Sequence, residues 1–290
     1  MSQTSAPSGS TPLTFHKMVG AGNDFVVIDA RRRPFAPGAA TVRWLADRRT
    51  GIGCDQLLVI ELDPAGDAAF AYRIWNADGG EVEQCGNGAR CLAWLWSTEL
   101  EPGASAFAMR SAAGRVEARV AGGAAAVSMG EPDFAPAHIP FTAQREQSHY
   151  AVQLPGQTVR IGAVSMGNPH AVIDLSELGE TDLGGAPVTA LGPAIETHPA
   201  FPRGANVGFA QVLGHDRIAL RVWERGCGET QACGTGACAA VAILRDRDAL
   251  DSVVRVDLPG GSLGVEWHGR GTPAWLSGPS AKVFEGTIKL

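Results

Sequence analysis

Lysine is almost missing from this chain. Lys17, Lys282 and Lys289 are its only three, and the remaining basic charge is arginine. An enzyme that forms a Schiff base with pyridoxal phosphate needs a lysine in its site, so the scarcity weighs against that cofactor. No apolar run approaches the ~18 residues of a membrane-spanning helix. Positive charge is not in excess either. The net charge is -6 and the pI is near 5.6, which argues against nucleic acid or an anionic membrane as the main partner. Six cysteines in 290 residues are too few for a disulfide scaffold. No C-x-x-C redox motif, P-loop or dinucleotide fingerprint occurs. Residues 1–12 are rich in Ser, Thr and Pro, without the basic start and apolar stretch of a secretory signal. They read as a disordered tail on a cytoplasmic protein.

The chain repeats itself. Tyr72 to Cys91 reads Y-R-I-W-N-A-D-G-G-E-V-E-Q-C-G-N-G-A-R-C, and Leu220 to Ala239 reads L-R-V-W-E-R-G-C-G-E-T-Q-A-C-G-T-G-A-C-A. The two align without a gap, with Arg73 and Arg221 standing 148 positions apart. Upstream, G-N-D-F-V-V-I-D from Gly22 matches G-N-P-H-A-V-I-D from Gly167, 145 positions on. Two matches in the same order at nearly equal spacing mark one unit made twice. Short β-branched runs predict strands over 25–29, 57–62 and 69–75, then over 207–212, 218–223 and 253–258. A helix starts just after each repeated cysteine, over about 88–97 and 236–245, and is apolar almost all round. Such a helix is buried within its domain. The expected architecture is α+β: two pseudo-symmetric domains, each a strand-rich shell around a central helix. The predicted bounds are 13–130 with 278–290, the last strand returning to the first domain, and 131–277.

Cys85 and Cys233 each stand at a helix start, before G-N-G and G-T-G. The first backbone N–H groups of a helix have no intrahelical partner, and the dipole adds positive charge there. A thiol at such an end is expected to have a lowered pKa. Glycines let a ligand approach the bare backbone, and two helix ends facing one cleft would cradle a carboxylate. Inverting a carbon that carries a hydrogen, an amine and a carboxylate needs a base on one face and an acid on the other. Two mirrored thiols supply both, with the helix-end donors stabilising the carbanionic transition state. A lone cysteine at a buried helix start is more often a packing residue; a matched pair inside repeated Gly-rich turns reverses that balance. A tetrathiolate metal site fits poorly. Cys85 to Cys91 and Cys233 to Cys238 step six and five residues along helices, rotating the side chains apart by about 240° and 140°.

The stretches K-M-V-G-A-G-N-D-F, G-I-G-C-D-Q, N-A-D-G-G-E-V-E-Q-C-G-N-G-A-R-C, G-A-V-S-M-G-N-P-H, E-R-G-C-G-E-T-Q-A-C-G-T-G-A-C-A-A and D-L-P-G-G-S-L span Phe15 to Leu290 nearly end to end. Through them the chain resembles the diaminopimelate epimerase family. The resemblance implies interconversion of L,L- and meso-diaminopimelate with no cofactor and no metal, in lysine and peptidoglycan synthesis. It also implies a homodimer whose active site lies in the cleft between the two domains. Cys85 and Cys233 match the family's acid/base pair. Gly86-Asn87 and Gly234-Thr235 match the helix ends that hold the reacting carboxylate. Asn23, Gln56, Asn76, Asn168, Asn206 and the Glu224-Arg225 pair match substrate contacts. His170 and Glu224 resemble residues that tune the thiols.

The residue types suit these roles, since a distal carboxylate needs a cation such as Arg225 and a distal ammonium needs neutral amides. Taken singly, each Asn also suits a turn, His170 a structural role and Glu224 an ion pair with an arginine. The chain departs from the family pattern at Val19, Cys54, Cys227 and Phe284. Two other readings compete: a proline-racemase-like or other amino-acid racemase using the same two-thiol logic, and a non-catalytic binding protein for amino-acid-like ligands. Arg225 and the asparagines argue against the first, because a small monocarboxylate needs no distal clamp.

Overall fold

The structure is a computed structural model and describes residues 12–180 and 182–290. The expected N-terminal tail lies outside the described residues, apart from Pro12. In chain order the strands and helices are β1 (Leu13–Gly20), β2 (Asn23–Asp29), α1 (Ala39–Ala46), β3 (Gln56–Glu61), β4 (Phe70–Asn76), β5 (Glu81–Val82), α2 (Gly86–Leu95), β6 (Ala106–Ser111), β7 (Gly114–Ala121), β8 (Ala124–Ser128), β9 (Tyr150–Leu154), β10 (Gln157–Ser165), β11 (Pro169–Asp174), α3 (Val188–Glu196), β12 (Asn206–Gly214), β13 (Arg217–Glu224), β14 (Gly228–Thr230), α4 (Gly234–Asp246), β15 (Val253–Leu258), β16 (Gly261–Glu266), β17 (Trp275–Gly278) and β18 (Ala281–Ile288). The chain divides into two compact units. One runs to Ala125 and includes Ser280–Leu290; the other is Ala126–Pro279.

Strand pairing shows the duplication directly. In the first unit β1 and β2 are antiparallel, β2 and β3 parallel, β3 and β4 antiparallel, β4 and β6 parallel, and β6 and β7 antiparallel. In the second unit β10 to β13, β15 and β16 follow the same alternation. One outer strand differs in origin. β9 precedes its neighbour β10 in the chain, whereas β1 pairs with β18 from the far C-terminus. The C-terminal strand thus completes the first unit.

The central strands are apolar on both faces, which requires cover on both sides. In β2, Phe25, Val26, Val27 and Ile28 are all fully buried. On one face α2 packs against β1, β2 and β7, and α4 packs against β10, β11, β12 and β16. Every residue of α2 except Trp94 is buried, Asn87 and Arg90 included, and α4 is buried from Gly236 to Leu244, in keeping with their largely apolar sequences. The other face carries a second helix per unit that the sequence reading lacks. Val42 and Leu45 of α1 join Val26, Ile28, Leu57 and Val59 in one core. Leu191 and Ile195 of α3 join Ile173, Val207 and Phe209 in the other. These helices are only 8 and 9 residues long, and α3 contains Pro193. Neither offers enough periodicity to be read without the sheet it covers.

Candidate active site

Register places the same four positions at one end of each sheet. In the first unit Asn23 opens β2, Gln56 opens β3 and pairs with Asn76 at the end of β4, and Cys85 caps α2. In the second unit Asn168 precedes β11, Asn206 opens β12, Glu224 ends β13 and Cys233 caps α4. The parallel registers Phe25 to Gln56 and His170 to Asn206 make Asn23 and Asn168, and Gln56 and Asn206, structural equivalents. Because Val207 faces Trp223, Asn206 falls opposite Glu224, so Glu224 is the counterpart of Asn76. A tight turn precedes each first asparagine. Gly22 and Gly167 have φ of 85° and 86°, the left-handed region glycine enters without penalty.

Each cysteine is the N-cap of its helix, but only Cys85 caps through its side chain. Cys85 has extended backbone, and its sulfur accepts from the Gly88 N–H at 3.5 Å. Cys233 has extended backbone too, but its thiol donates to Glu224 Oε2 at 3.1 Å and lies 3.5 Å from Thr235 Oγ1. The other Glu224 oxygen accepts from the Thr230 hydroxyl. A side chain at the third helical position would be crowded. A Cβ on Gly236 would lie 3.3 Å from the Cys233 sulfur and 3.1 Å from Val222, and one on Gly88 would lie 3.0 Å from Leu58. None of the six cysteines is in a disulfide.

Cys233 corrects the expectation of a lowered thiol pKa. Burial and then the Glu224 carboxylate push it well above the ordinary thiol value. The cysteine is 5% exposed, and a thiolate there would be poorly solvated and beside a like charge. Both causes favour the protonated thiol at Cys233. His170 is likewise neutral: burial, with help from the Arg225 cation, lowers its pKa to about 3. Its Nε2 bonds Asn168 Oδ1 at 2.9 Å. Among the described residues no hydrogen bond joins His170 to Cys233, so any influence on the thiol passes through Asn168 or the local field.

The remaining sequence-predicted residues fall into small clusters. Gln56 Nε2 donates to Asn76 Oδ1 at 2.8 Å, and Asn87 Nδ2 to Asn23 Oδ1 at 2.8 Å. Asn206 donates to the Pro169 carbonyl at 3.0 Å and accepts the Arg225 backbone N–H at 3.0 Å. The Arg225 guanidinium is exposed and donates to the Arg203 carbonyl at 3.0 Å. Gly86 and Gly234 are buried at the helix starts.

Several supporting residues went unassigned in the sequence reading. Glu196, at the end of α3, accepts from the Trp223 indole at 2.6 Å and from the Gly226 N–H at 2.7 Å, pinning the turn that carries Glu224 and Arg225. Asp24 binds Lys17 at 2.6 Å and Arg48 at 2.7 Å. Burial works to raise the Asp24 pKa, but these two cations hold it far below the carboxylate range. Asp24 and Asp55 also accept each other's backbone N–H, at 2.9 and 3.1 Å respectively, locking the start of β2 to the loop before β3. Lys17, Asp24 and Asp55 all sit inside motifs the sequence displays, and the adjacency of Asp24 to Asn23 and of Asp55 to Gln56 is the signal available there. Among the described residues, one trio of potential metal ligands lies together: His16, Glu99 and Glu285. Lys282 ion-pairs with both glutamates, at 2.8 and 2.9 Å, and so offsets one of their two negative charges.

Comparison with known proteins shows the family of the chain. The profile of the diaminopimelate epimerase family matches residues 15–135 and 162–283. The diaminopimelate epimerase of Alkalilimnicola ehrlichii is 50% identical over 281 residues, covering 96% of this chain and 99% of its own. That of Pseudomonas aeruginosa is 47% identical over 279 residues, with the same coverage. Among solved structures, a probable proline racemase from Agrobacterium radiobacter aligns with a TM-score of 0.66 at 17% identity, over 96% of this chain and 93% of its own. A predicted epimerase from Pseudomonas aeruginosa aligns with a TM-score of 0.61 at 18% identity, over 95% and 99%. At such identities these two likenesses concern the fold alone. No described helix is long and apolar enough to cross a membrane.

Proposed function

The chain belongs to the diaminopimelate epimerase family, and from that membership we propose that it is an isomerase interconverting L,L- and meso-diaminopimelate with Cys85 and Cys233 as its acid/base pair. The observation that carries this reading is the equivalence of the two half-sites. Each presents a cysteine at the N-cap of a buried helix, followed by glycines that leave the backbone donors bare. The hydrogen-bond roles divide the work. The Cys85 sulfur accepts from Gly88 and is suited to take the α-proton; the Cys233 thiol, protonated and aimed at Glu224, is suited to deliver one. In the reverse reaction the roles exchange.

As the α-proton leaves, charge develops on the substrate carboxylate. Backbone N–H groups of Gly86, Asn87, Gly234 and Thr235 stand at the helix ends where such charge is stabilised. Asn23, Gln56, Asn76, Asn168 and Asn206 provide amide donors and acceptors for the substrate's carboxylates and ammonium groups, and Arg225 the cation for its distal carboxylate. No step calls for a metal or an organic cofactor. The reaction belongs to lysine and peptidoglycan synthesis, in the cytoplasm. We assign the working form as a homodimer, with β18, which exposes Val283 and Phe284, as a face for the second copy.

Turnover of diaminopimelate, proline and glutamate, measured side by side after dialysis against a chelator, tests the reading. Diaminopimelate is the expected substrate, preferred by about 10⁴-fold or more, because analogues without the distal group leave the polar groups set to bind it without partners. Comparable rates with proline would replace the reading with a monocarboxylate racemase.

A further inference from the structure

Arg90 is 0% exposed, lies one turn into α2 and belongs to no substrate-contacting set described above. Its Nη2 donates to Asn87 Oδ1 at 3.0 Å. Asn87 Nδ2 donates to Asn23 Oδ1 at 2.8 Å, and Asn23 Nδ2 donates to Asp55 Oδ2 at 3.3 Å. The chain of bonds runs one way, from a group that can only donate to one that, ionised, can only accept. An asparagine amide by itself fits either way round. Between a guanidinium and a carboxylate it fits only one way.

We infer that Arg90 is a positioning residue that, through Asn87 and Asn23 to Asp55, locks two amides so that their remaining N–H bonds, not their carbonyl oxygens, face the substrate. The inference rests on the proposed function only for the identity of that substrate. An amide turned over would set a carbonyl dipole against a carboxylate and convert an attraction into a repulsion. The buried guanidinium also adds a fixed positive charge behind the α2 helix end, where an anion is to bind.

The second unit supplies an internal comparison. There Asn87 is matched by Thr235, Arg90 by Cys238 and, by strand register, Asp55 by Ala205. Asn168, the equivalent of Asn23, gives its oxygen to His170. All three partners of the relay are replaced together, as expected if they work as one device.

The test combines kinetics with spectroscopy. The rates and KM for diaminopimelate are measured for wild type, Arg90→Met, Asn87→Ala and the double variant. Protein labelled with 15N-asparagine reports the side-chain amides directly, since the chain has five asparagines. Arg90→Met is expected to raise KM about 10-fold, with a smaller change in kcat. In the Asn87→Ala background it should change KM by less than about 2-fold, because its partner is gone. The Asn87 and Asn23 amide resonances should move in Arg90→Met while that of Asn206 stays. If Arg90→Met does not fold, Asp55→Asn loosens the relay from its half-buried end, and is expected to shift the Asn23 amide and raise KM about 3-fold. Equal effects of Arg90→Met in both backgrounds, or unmoved Asn87 and Asn23 amides, would overturn the inference. A wild-type protein inert toward diaminopimelate would count against the proposed function, while the amide spectra would still decide the relay.

Discussion

Cys85→Ser and Cys233→Ser are each expected to lower kcat for epimerisation by about 10³-fold or more, and the double variant to be no slower than the worse of the two. The reason is that inversion needs both faces of one carbon. With Cys85 as serine, the base is a hydroxyl far too weakly acidic to supply an anion near neutral pH. With Cys233 as serine, the returning proton comes from a donor of mismatched acidity. Either loss stops the same event, so the second adds little. Folding should survive, since serine is a good N-cap and keeps the helix start intact. Steady-state rates of the four proteins at equal, verified helicity check this. Multiplicative losses in the double variant would mean that each cysteine acts in its own separate process.

The second large effect is expected at Glu224. Glu224→Gln should lower kcat/KM by about 10²-fold and shift the alkaline limb of its pH profile to lower pH. The sign follows from the causes at Cys233. Burial raises the thiol pKa, and the carboxylate raises it further. Glutamine leaves the burial but removes the like charge, so the proton is lost at lower pH than in wild type. Between those two values wild type keeps its acid and the variant does not. An alkaline limb that stays in place or moves up would show that Glu224 does not control the thiol.

Much of this was legible in the sequence for physical reasons. The two Gly-rich turns around Cys85 and Cys233 recur at nearly constant spacing, so the duplication and the central helices could be read. The apolar runs from Gly88 and from Gly236 announced burial. All five asparagines of the chain are candidate site residues in the sequence, and each lies at or beside a strand end or a helix start. What could not be read depends on three-dimensional closure. α1 and α3 are too short to show a period without the sheet beneath them. The Arg90 relay joins positions 23, 55, 87 and 90, which only the parallel pairing of β2 with β3 and the packing of α2 bring together. The Cys233 pKa went the other way because a helix end favours the thiolate while burial and Glu224 oppose it, and burial depth is not written in a local motif.

The central claim is that two thiols act on opposite faces of one carbon. Turnover of diaminopimelate in D2O tests it most directly, with the isotope content of the inverted α-carbon read by mass spectrometry and proton NMR. A proton taken by one thiol is not the proton returned by the other, and thiol protons exchange with solvent. The account predicts one solvent deuterium at the inverted centre of each product molecule from the first turnover. Product that keeps the original substrate hydrogen throughout would contradict it.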